Sequence, residues 1–368
     1  MENKVNFFDY DRVSLEAFFS SLEEPSYRAR QVFQWIHRRK VIKPYDMTDL
    51  SIELRQRLSS LGSFDLPKVI KEKRSKDGTI KWLTTLSDGN VIETVLIPEA
   101  KRNTLCISSQ AGCALRCAFC ATGRQGFSRN LSTSEIIGQL WTAEDITSNH
   151  RKEQFKLSNV VMMGMGEPLQ NYSNVVSAIK IMLDDCAYGL SRRRVTLSTA
   201  GVVPGINQLG SDCPVSLAVS LHAADDNLRN KLVPLNKKYP IAVLLDACRR
   251  YSRNNLNNSI TFEYILLKDV NDSKKDAIKL ASLLSDLPSK VNLIPYNHVE
   301  GTGFFTPMAE VINDFRMILN NAGIFTITRK TRGDDIDAAC GQLAGQIHRY
   351  RGKNQKREHS DQMVKIGD

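Results

Sequence analysis

Over residues 1–65 the apolar positions recur at helical spacing. Leu15, Phe18, Phe19 and Leu22 make one stripe of a helix running from Val13 to Glu24, which Pro25 ends. Val32, Phe33, Trp35 and Ile36 mark a second helix within Ser26 to Lys40, and Leu54 and Leu58 a third that starts at Ser51. From residue 66 the period falls to two. A run from Lys68, a run over Thr79–Leu86 and a run over Val91–Ile97 are separated by Ser75-Lys76-Asp77-Gly78 and Ser87-Asp88-Gly89-Asn90, so two Asp-Gly turns predict a three-stranded meander. Glu93 shares a face of the last strand with Val91, Val95 and Ile97. A carboxylate there is paired, exposed at an edge, or held for proton transfer.

Beyond residue 103 strands and helices alternate, the pattern of a parallel sheet with crossover helices. The strands are Thr104–Ser109, Asn159–Met163, Arg194–Ser198, Val215–Leu221, Ile260–Leu266 and Lys290–Pro295. Between them fall helices at Ser134–Ile146, Tyr172–Leu183, Ile241–Tyr251, Ser273–Ser285 and Pro307–Asn320, with only a turn at Pro204–Leu209. Ser132 and Glu135 form a capping-box start for the first of these helices. The fold class is therefore α/β. Six β/α units make a partial (β/α)6 TIM-like barrel, and Ile324–Thr328 is an additional strand leading into the loop that carries Cys340. Four segments result: a helical accessory domain (1–65) with a basic flank suited to RNA docking, a β-meander linker or extension (66–102), the barrel core with the Cys340 loop (103–345), and a basic tail (346–368).

Composition narrows the class. The 368 residues are 42% hydrophobic and 24% charged, ordinary globular values. No apolar run is long enough for a membrane span, and the start lacks the shape of a signal peptide. A cytoplasmic, monomeric protein is expected. Eight cysteines without a secretory signal read as metal ligands, reactive thiols or small core residues rather than a disulfide framework. The net charge of +10 favours a polyanionic partner such as nucleic acid, although a merely basic enzyme carries the same number.

The chemistry centres on Cys113, Cys117 and Cys120, a C-x3-C-x2-C triplet in the loop after the first barrel strand. Structural zinc takes four ligands, and most [4Fe–4S] clusters take four cysteines; a cluster on three keeps one iron open for a small molecule. With Gly164-Met165-Gly166-Glu167-Pro168 one crossover later, the triplet resembles the radical S-adenosylmethionine (SAM) enzymes, in which SAM chelates the open iron. The other singled-out residues also fall after strand ends, where chemistry collects in such sheets.

Leu197–Gly201, Ser220–Ala223, Leu293–Asn297 and Arg332–Gly341, taken with the cysteines, resemble a narrower group, the RlmN/Cfr class of RNA adenine methyltransferases, over nearly the whole chain. The resemblance implies a [4Fe–4S] cluster on Cys113, Cys117 and Cys120. It implies SAM contacts at Gly166, Glu167, Ser198, Ser220, Leu221, His222 and Asn297. It makes Cys340 the methyl-carrying thiol, Cys106 the resolving thiol and Glu93 a proton acceptor, in a ping-pong reaction that uses two SAM molecules. The implied substrates are 23S ribosomal RNA and tRNA, and the implied electron donor is a flavodoxin or ferredoxin. The target is carbon 2 of adenine; carbon 8 is the alternative that the same cysteines serve, and a non-catalytic metal-stabilised RNA-binding protein is the rival from another class. Taken singly, Cys106 and Cys340 read as small buried hydrophobes, and Cys186, Cys213 and Cys248 as packing residues.

Overall fold

The computed structural model describes residues 4–100, 102–150, 157–253 and 259–343. The basic tail expected from residue 346 lies outside the described residues. In chain order the elements are β1 (Val5–Asn6), α1 (Arg12–Ser21), α2 (Ser26–His37), α3 (Ile52–Leu61), β2 (Gly62–Ser63), β3 (Lys68–Arg74), β4 (Ile80–Thr85), β5 (Val91–Glu99), β6 (Arg102–Cys106) and β7 (Gln110–Gly112). They continue with α4 (Ala121–Gln125), β8 (Phe127–Asn130), α5 (Thr133–His150), β9 (Asn159–Met162), α6 (Tyr172–Leu183), β10 (Val195–Thr199), α7 (Val203–Asp212) and β11 (Ser216–Ser220). The last are α8 (Asp226–Leu232), α9 (Ile241–Arg253), β12 (Ile260–Leu266), α10 (Lys274–Leu284), β13 (Ser289–Pro295), α11 (Ala309–Asn321) and β14 (Phe325–Thr328).

One ten-stranded sheet organises the chain, in the order β14-β13-β12-β11-β10-β9-β6-β5-β4-β3. In it β6 and β9 through β14 pair in parallel, and β5, β4 and β3 continue the sheet antiparallel. The meander thus widens the barrel sheet by direct pairing, Val95 opposite Cys106. Its turns follow local chemistry. Asp77 and Asp88 accept from the backbone N–H groups of Thr79 and Asn90, at 2.9 and 3.0 Å, and the glycines that follow, Gly78 and Gly89, have positive φ.

Alternation along the parallel strands decides where chemistry can occur. Leu197, Leu217, Phe262, Val291 and Leu293 are at most 2% exposed and join one apolar cluster with Val175, Ile179, Leu244, Leu280 and Phe315 of the crossover helices. The alternate positions, Thr196, Ser198, Ser220, Glu263 and Asn292, are polar and form the opposite face of the sheet. Helices seal one face, and the other is left to line a lumen.

Helix ends agree with the caps read from sequence. Ser132 and Glu135 exchange reciprocal hydrogen bonds of 2.9 and 3.2 Å, and the Ser51 hydroxyl accepts from the Leu54 N–H. One expectation is corrected. Pro204–Leu209, expected as a turn, lies inside the ten-residue α7, because Pro at the first turn costs a helix no hydrogen bond. The short α8, capped by Asp225, is an element that the periodicity does not announce. The N-terminal helices dock on α5: the Trp141 indole donates to the Ile36 carbonyl (2.9 Å), Lys40 pairs with Glu144 (2.8 Å), and the Asp9 carboxylate accepts from the Ser134 N–H (2.7 Å). Among the described residues no helix is long and apolar enough to cross a membrane.

Candidate active site

The cysteine loop leaves β7 at Gly112, whose φ is +81° and where an added Cβ would stand 1.9 Å from the Gly126 carbonyl oxygen. Only glycine fits that approach. The Cys113 N–H donates to the same carbonyl at 2.8 Å, and the Cys120 N–H donates to the Cys117 carbonyl at 3.2 Å. Two bonds then join this loop to the distant Cys340 loop: the Ala121 N–H donates to the Gly341 carbonyl (2.8 Å), and the Thr122 hydroxyl to the Leu343 carbonyl (3.0 Å).

Cys113, Cys117 and Cys120 line one cavity, together with Cys340. Burial pushes the Cys113 thiol up to about 12 and raises Cys117 well above its ordinary value, with the neighbouring sulfurs adding to both. Such thiols ionise only when a metal supplies the compensating charge. Among the described residues the one group of three ligand atoms within 4.8 Å of one another is Asp184, Asp185 and Cys186, so the triplet is spread more widely than that. A single tetrahedral ion with Zn–S bonds of about 2.3 Å draws its sulfurs to roughly 3.8 Å. Three thiols on one cavity fit a [4Fe–4S] cluster that keeps one iron open.

The wall beside the triplet is backbone held close by glycine. Gly166 has φ +100°, and an added Cβ would meet Gln110 Cβ at 2.5 Å and its backbone nitrogen at 2.8 Å. Gly166→Ala is expected to cost about 1–3 kcal/mol in backbone strain alone, before the overlap with Gln110. A thermal melt against wild type, with SAM affinity measured alongside, checks this.

Glu167 is buried, and its carboxylate accepts from the N–H groups of Ala200 (2.7 Å) and Leu169 (3.1 Å). Burial outweighs those bonds and raises its carboxyl to about 7. Ser198 and Ser220 line the same cavity. His222 does too, in a left-handed conformation with φ 62°. Its Nδ1 accepts from the Ile265 N–H (3.1 Å), and burial, aided by Arg229, lowers its pKa to about 3. The ring is therefore neutral, with the proton on Nε2. Leu221 points away: its side chain belongs to the apolar cluster, and its carbonyl accepts from Arg229.

The structure separates the remaining expected residues from the triplet cavity. Asn297 lines a second cavity, donates to the Cys340 carbonyl (3.1 Å) and accepts from the Thr331 hydroxyl (3.1 Å). Neither Cys106 nor Glu93 lines either cavity. They share one face of β5 and β6, and Arg329 links the former to Cys340: its guanidinium acts on both thiols and opposes the rise that burial causes in each. Burial carries Cys106 to about 12, with Cys340 adding to the rise. Cys340 is exposed by surface area, although protein atoms crowd its sulfur; the first property governs access, the second the charge.

Glu93 is fully buried and paired with Lys81, itself buried, at 3.5 Å. Lys81 also donates to the Asp337 carbonyl at 2.7 Å, so this pair braces the Cys340 loop. Lys81→Met, which takes the cation from beside this buried carboxylate, is expected to destabilise by about 3–5 kcal/mol. In denaturant titration the double variant Lys81→Met/Glu93→Leu is expected to recover most of that loss.

Three residues of the site are not singled out by the sequence reading. Arg229 is fully buried and donates to the carbonyls of Leu221, Ala200 and Ser220 and to Asn236, tying together the ends of β10 and β11. Glu263 lines the triplet cavity, accepts from Asn292 (2.8 Å) and stands 4.0 Å from Arg329. A charge inside the apolar run Ile260–Leu267 is a signal of the kind that marks Glu93. Arg329 and Arg229 lie among many other cations, and nothing local distinguishes them.

A parallel sheet with a polar lumen, and a thiol-rich cavity at its carboxyl ends, define a radical SAM enzyme; residues 107–281 match the radical SAM superfamily, which uses SAM and an iron–sulfur cluster. A crystal structure of a radical SAM methyltransferase from Sphaerobacter thermophilus superposes with a TM-score of 0.86 at 42% identity, covering 92% of this chain and 99% of that one. Residues 5–63 match the ribosomal RNA large subunit methyltransferase N-terminal domain. The dual-specificity RNA methyltransferase RlmN of Francisella tularensis subsp. mediasiatica (strain FSC147) is 50% identical over 370 aligned positions, covering 100% of this chain and 98% of that protein. The chain belongs to the RlmN family of RNA methyltransferases.

Proposed function

We propose that this enzyme methylates carbon 2 of adenine in 23S ribosomal RNA, at the peptidyl-transferase centre, and in tRNA beside the anticodon. The position of Cys340 carries the reading: it borders the triplet cavity while sharing Arg329 with Cys106. Carbon 2 lies between two ring nitrogens and is electron-poor, as is the methyl of a sulfonium, so direct displacement between them fails and a carbon radical is required. Cys113, Cys117 and Cys120 would hold the cluster, which, given an electron by a flavodoxin or ferredoxin, would supply a hydrogen-abstracting radical from SAM.

The chain's own residues do the rest. Gly166 and Glu167 receive the amino end of SAM, and Ser198 and the Ser220–His222 edge take its remaining polar groups. Cys340, as thiolate, accepts a methyl group by displacement and offers it, activated, to the base. The radical adduct loses its carbon-2 proton to Glu93 or Cys106 and one electron to the acceptor that the once-oxidised cluster would provide. Cys106, as thiolate, then attacks the Cys340 sulfur; the carbon–sulfur bond breaks with its electron pair on the methylene carbon, which takes up a proton to become the methyl group, and methylated adenine leaves behind a Cys106–Cys340 disulfide. Glu93 is held beside Lys81, at 3.5 Å, on the face of β5 and β6 that also carries Cys106.

The test is anaerobic modification of ribosomal RNA and tRNA followed by isomer-resolved nucleoside analysis. The expected product is 2-methyladenosine. Finding 8-methyladenosine would establish the carbon-8 alternative, and unmodified RNA from iron-loaded, SAM-cleaving protein would overturn both.

A further inference from the structure

Over the carboxyl ends of the sheet lies a second, smaller apolar cluster, and the cysteine loop is built into it. Leu115 and Phe119, between the cysteines, pack there with Leu232 and Val233 at the end of α8 and with Tyr296 and Val299 of the loop after β13. The Ala118 N–H donates to the Leu232 carbonyl at 3.0 Å, and a Cβ added at Gly301 would stand 3.0 Å from a guanidinium nitrogen of Arg124. Three segments thus form one wall beside the triplet. Leu115 and Phe119 are 9% and 7% exposed, so a base cannot pass between the cysteines. The wall is nevertheless thin. Ala114 and Arg116, direct chain neighbours of Cys113 and Cys117, are exposed, so the metal-binding residues and solvent are one residue apart.

The outer side of this wall is basic. Arg116, Arg124, Lys231, Lys237 and Lys238 are exposed, and among the described residues none has a carboxylate oxygen within 4.0 Å. Lys231 precedes Leu232, and Lys237 and Lys238 follow Leu235, which packs on the same apolar cluster. Of the acidic residues in these segments, Asp225 and Asp226 accept from the N–H groups of Leu228 (3.0 Å) and Ile241 (2.9 Å), and Glu300 is exposed. Two aromatic rings stand out of the wall: Phe127, 48% exposed and next to the backbone of Gly112, and Phe305, 65% exposed. Exposed aromatic side chains among uncompensated cations suit an acidic protein, whose encounter rate such charges raise. RNA is acidic too, but it has to reach the Cys340 sulfur, and this wall is closed to a base. An electron passes through packed side chains and needs only proximity.

We propose that this wall is the docking surface for the electron donor, and that the donor is an acidic flavodoxin. Its reduced flavin gives up one electron, which the cluster on the triplet gains; nothing else is exchanged. Phe127 and Phe305 offer apolar contact to the exposed edge of a flavin, and the five cations meet the acidic rim around it. The inference rests on the reading that Cys113, Cys117 and Cys120 hold the cluster, and it adds which face of the enzyme is kept for reduction.

The experiment uses full-length, iron-reconstituted protein under anaerobic conditions, with a bacterial flavodoxin as the probe. Its Kd is measured by flavin fluorescence over a range of salt for wild type, Arg116→Glu/Lys231→Glu, Lys237→Glu/Lys238→Glu and the equal-charge control Arg193→Glu/Lys290→Glu, at the amino ends of β10 and β13. Each wall variant is expected to bind at least about tenfold more weakly at low salt, the difference shrinking as salt screens the charges, and the control to change less than about twofold. SAM cleavage is followed alongside, with either flavodoxin below saturation or dithionite as the reductant. The wall variants are expected to lose at least about tenfold with flavodoxin and less than about twofold with dithionite, because a small reductant needs no docking surface. The proposal is overturned if both wall variants bind flavodoxin like wild type, or if the control loses as much. It is also overturned if affinity for an anticodon stem–loop hairpin falls as far as affinity for flavodoxin, which would give the wall to RNA. A ferredoxin that binds more tightly than flavodoxin and loses that affinity in the wall variants would overturn the choice of carrier. Wild-type protein that holds iron yet cleaves no SAM with dithionite would defeat the functional reading, while the affinity comparison would still decide where the donor sits.

Discussion

Protein carrying Cys340→Ala is expected to hold iron and sulfide and to cleave SAM under reduction, yet to leave RNA unmethylated, with a fall of at least about 10⁴-fold. The reason is positional. Cys340 is the thiol outside the triplet that lines the triplet cavity, and its neighbours Ala339 and Gly341 offer no nucleophile. The substitution keeps the backbone bond from Ala121 to Gly341, so the cysteine loop retains its support. Mass spectrometry of the RNA, with 5′-deoxyadenosine measured in the same reaction, checks both halves. Methylated RNA from this variant would remove the carrier thiol from the mechanism.

Cys106→Ala is expected to have the opposite appearance, with RNA trapped rather than untouched. Cys106 lies at the end of β6, opposite Val95 and Val161, where alanine fits the strand without disturbing its pairing. The carrier step and the addition to the base proceed, but no thiol remains to attack the Cys340 sulfur. A species combining protein and RNA, stable on a denaturing gel and joined through Cys340, is the expected result. Free RNA alongside normally methylated Cys340 would show that another group resolves the adduct. The position of Arg329 sharpens the expectation. It offsets, for each thiol, the burial that disfavours thiolate, as one cation shared by an accepting and a resolving sulfur would.

Much of this fold and site is legible in the amino-acid sequence. The seven parallel strands of the sheet are legible as short segments with apolar residues at alternate positions, because helices cover one face of each. The triplet, the glycines of Gly164–Pro168 and the Asp-Gly turns are local features, set by chemistry within a few residues. Glu93 reads from its strand face as paired, exposed or poised, and it is found paired with Lys81.

What the linear chain by itself determined is therefore the set of elements, their order, and the presence of metal-binding and thiol chemistry at strand ends. The tertiary structure alone decided that Cys340 borders the triplet cavity, that Leu221 turns outward while Ser220 and His222 turn in, and that Arg229, Glu263 and Arg329 matter. The physical reason is range. Periodicity and turn chemistry act over a few residues, whereas a buried cation acquires its meaning from carbonyls and thiols that only the closing sheet brings within a few ångströms.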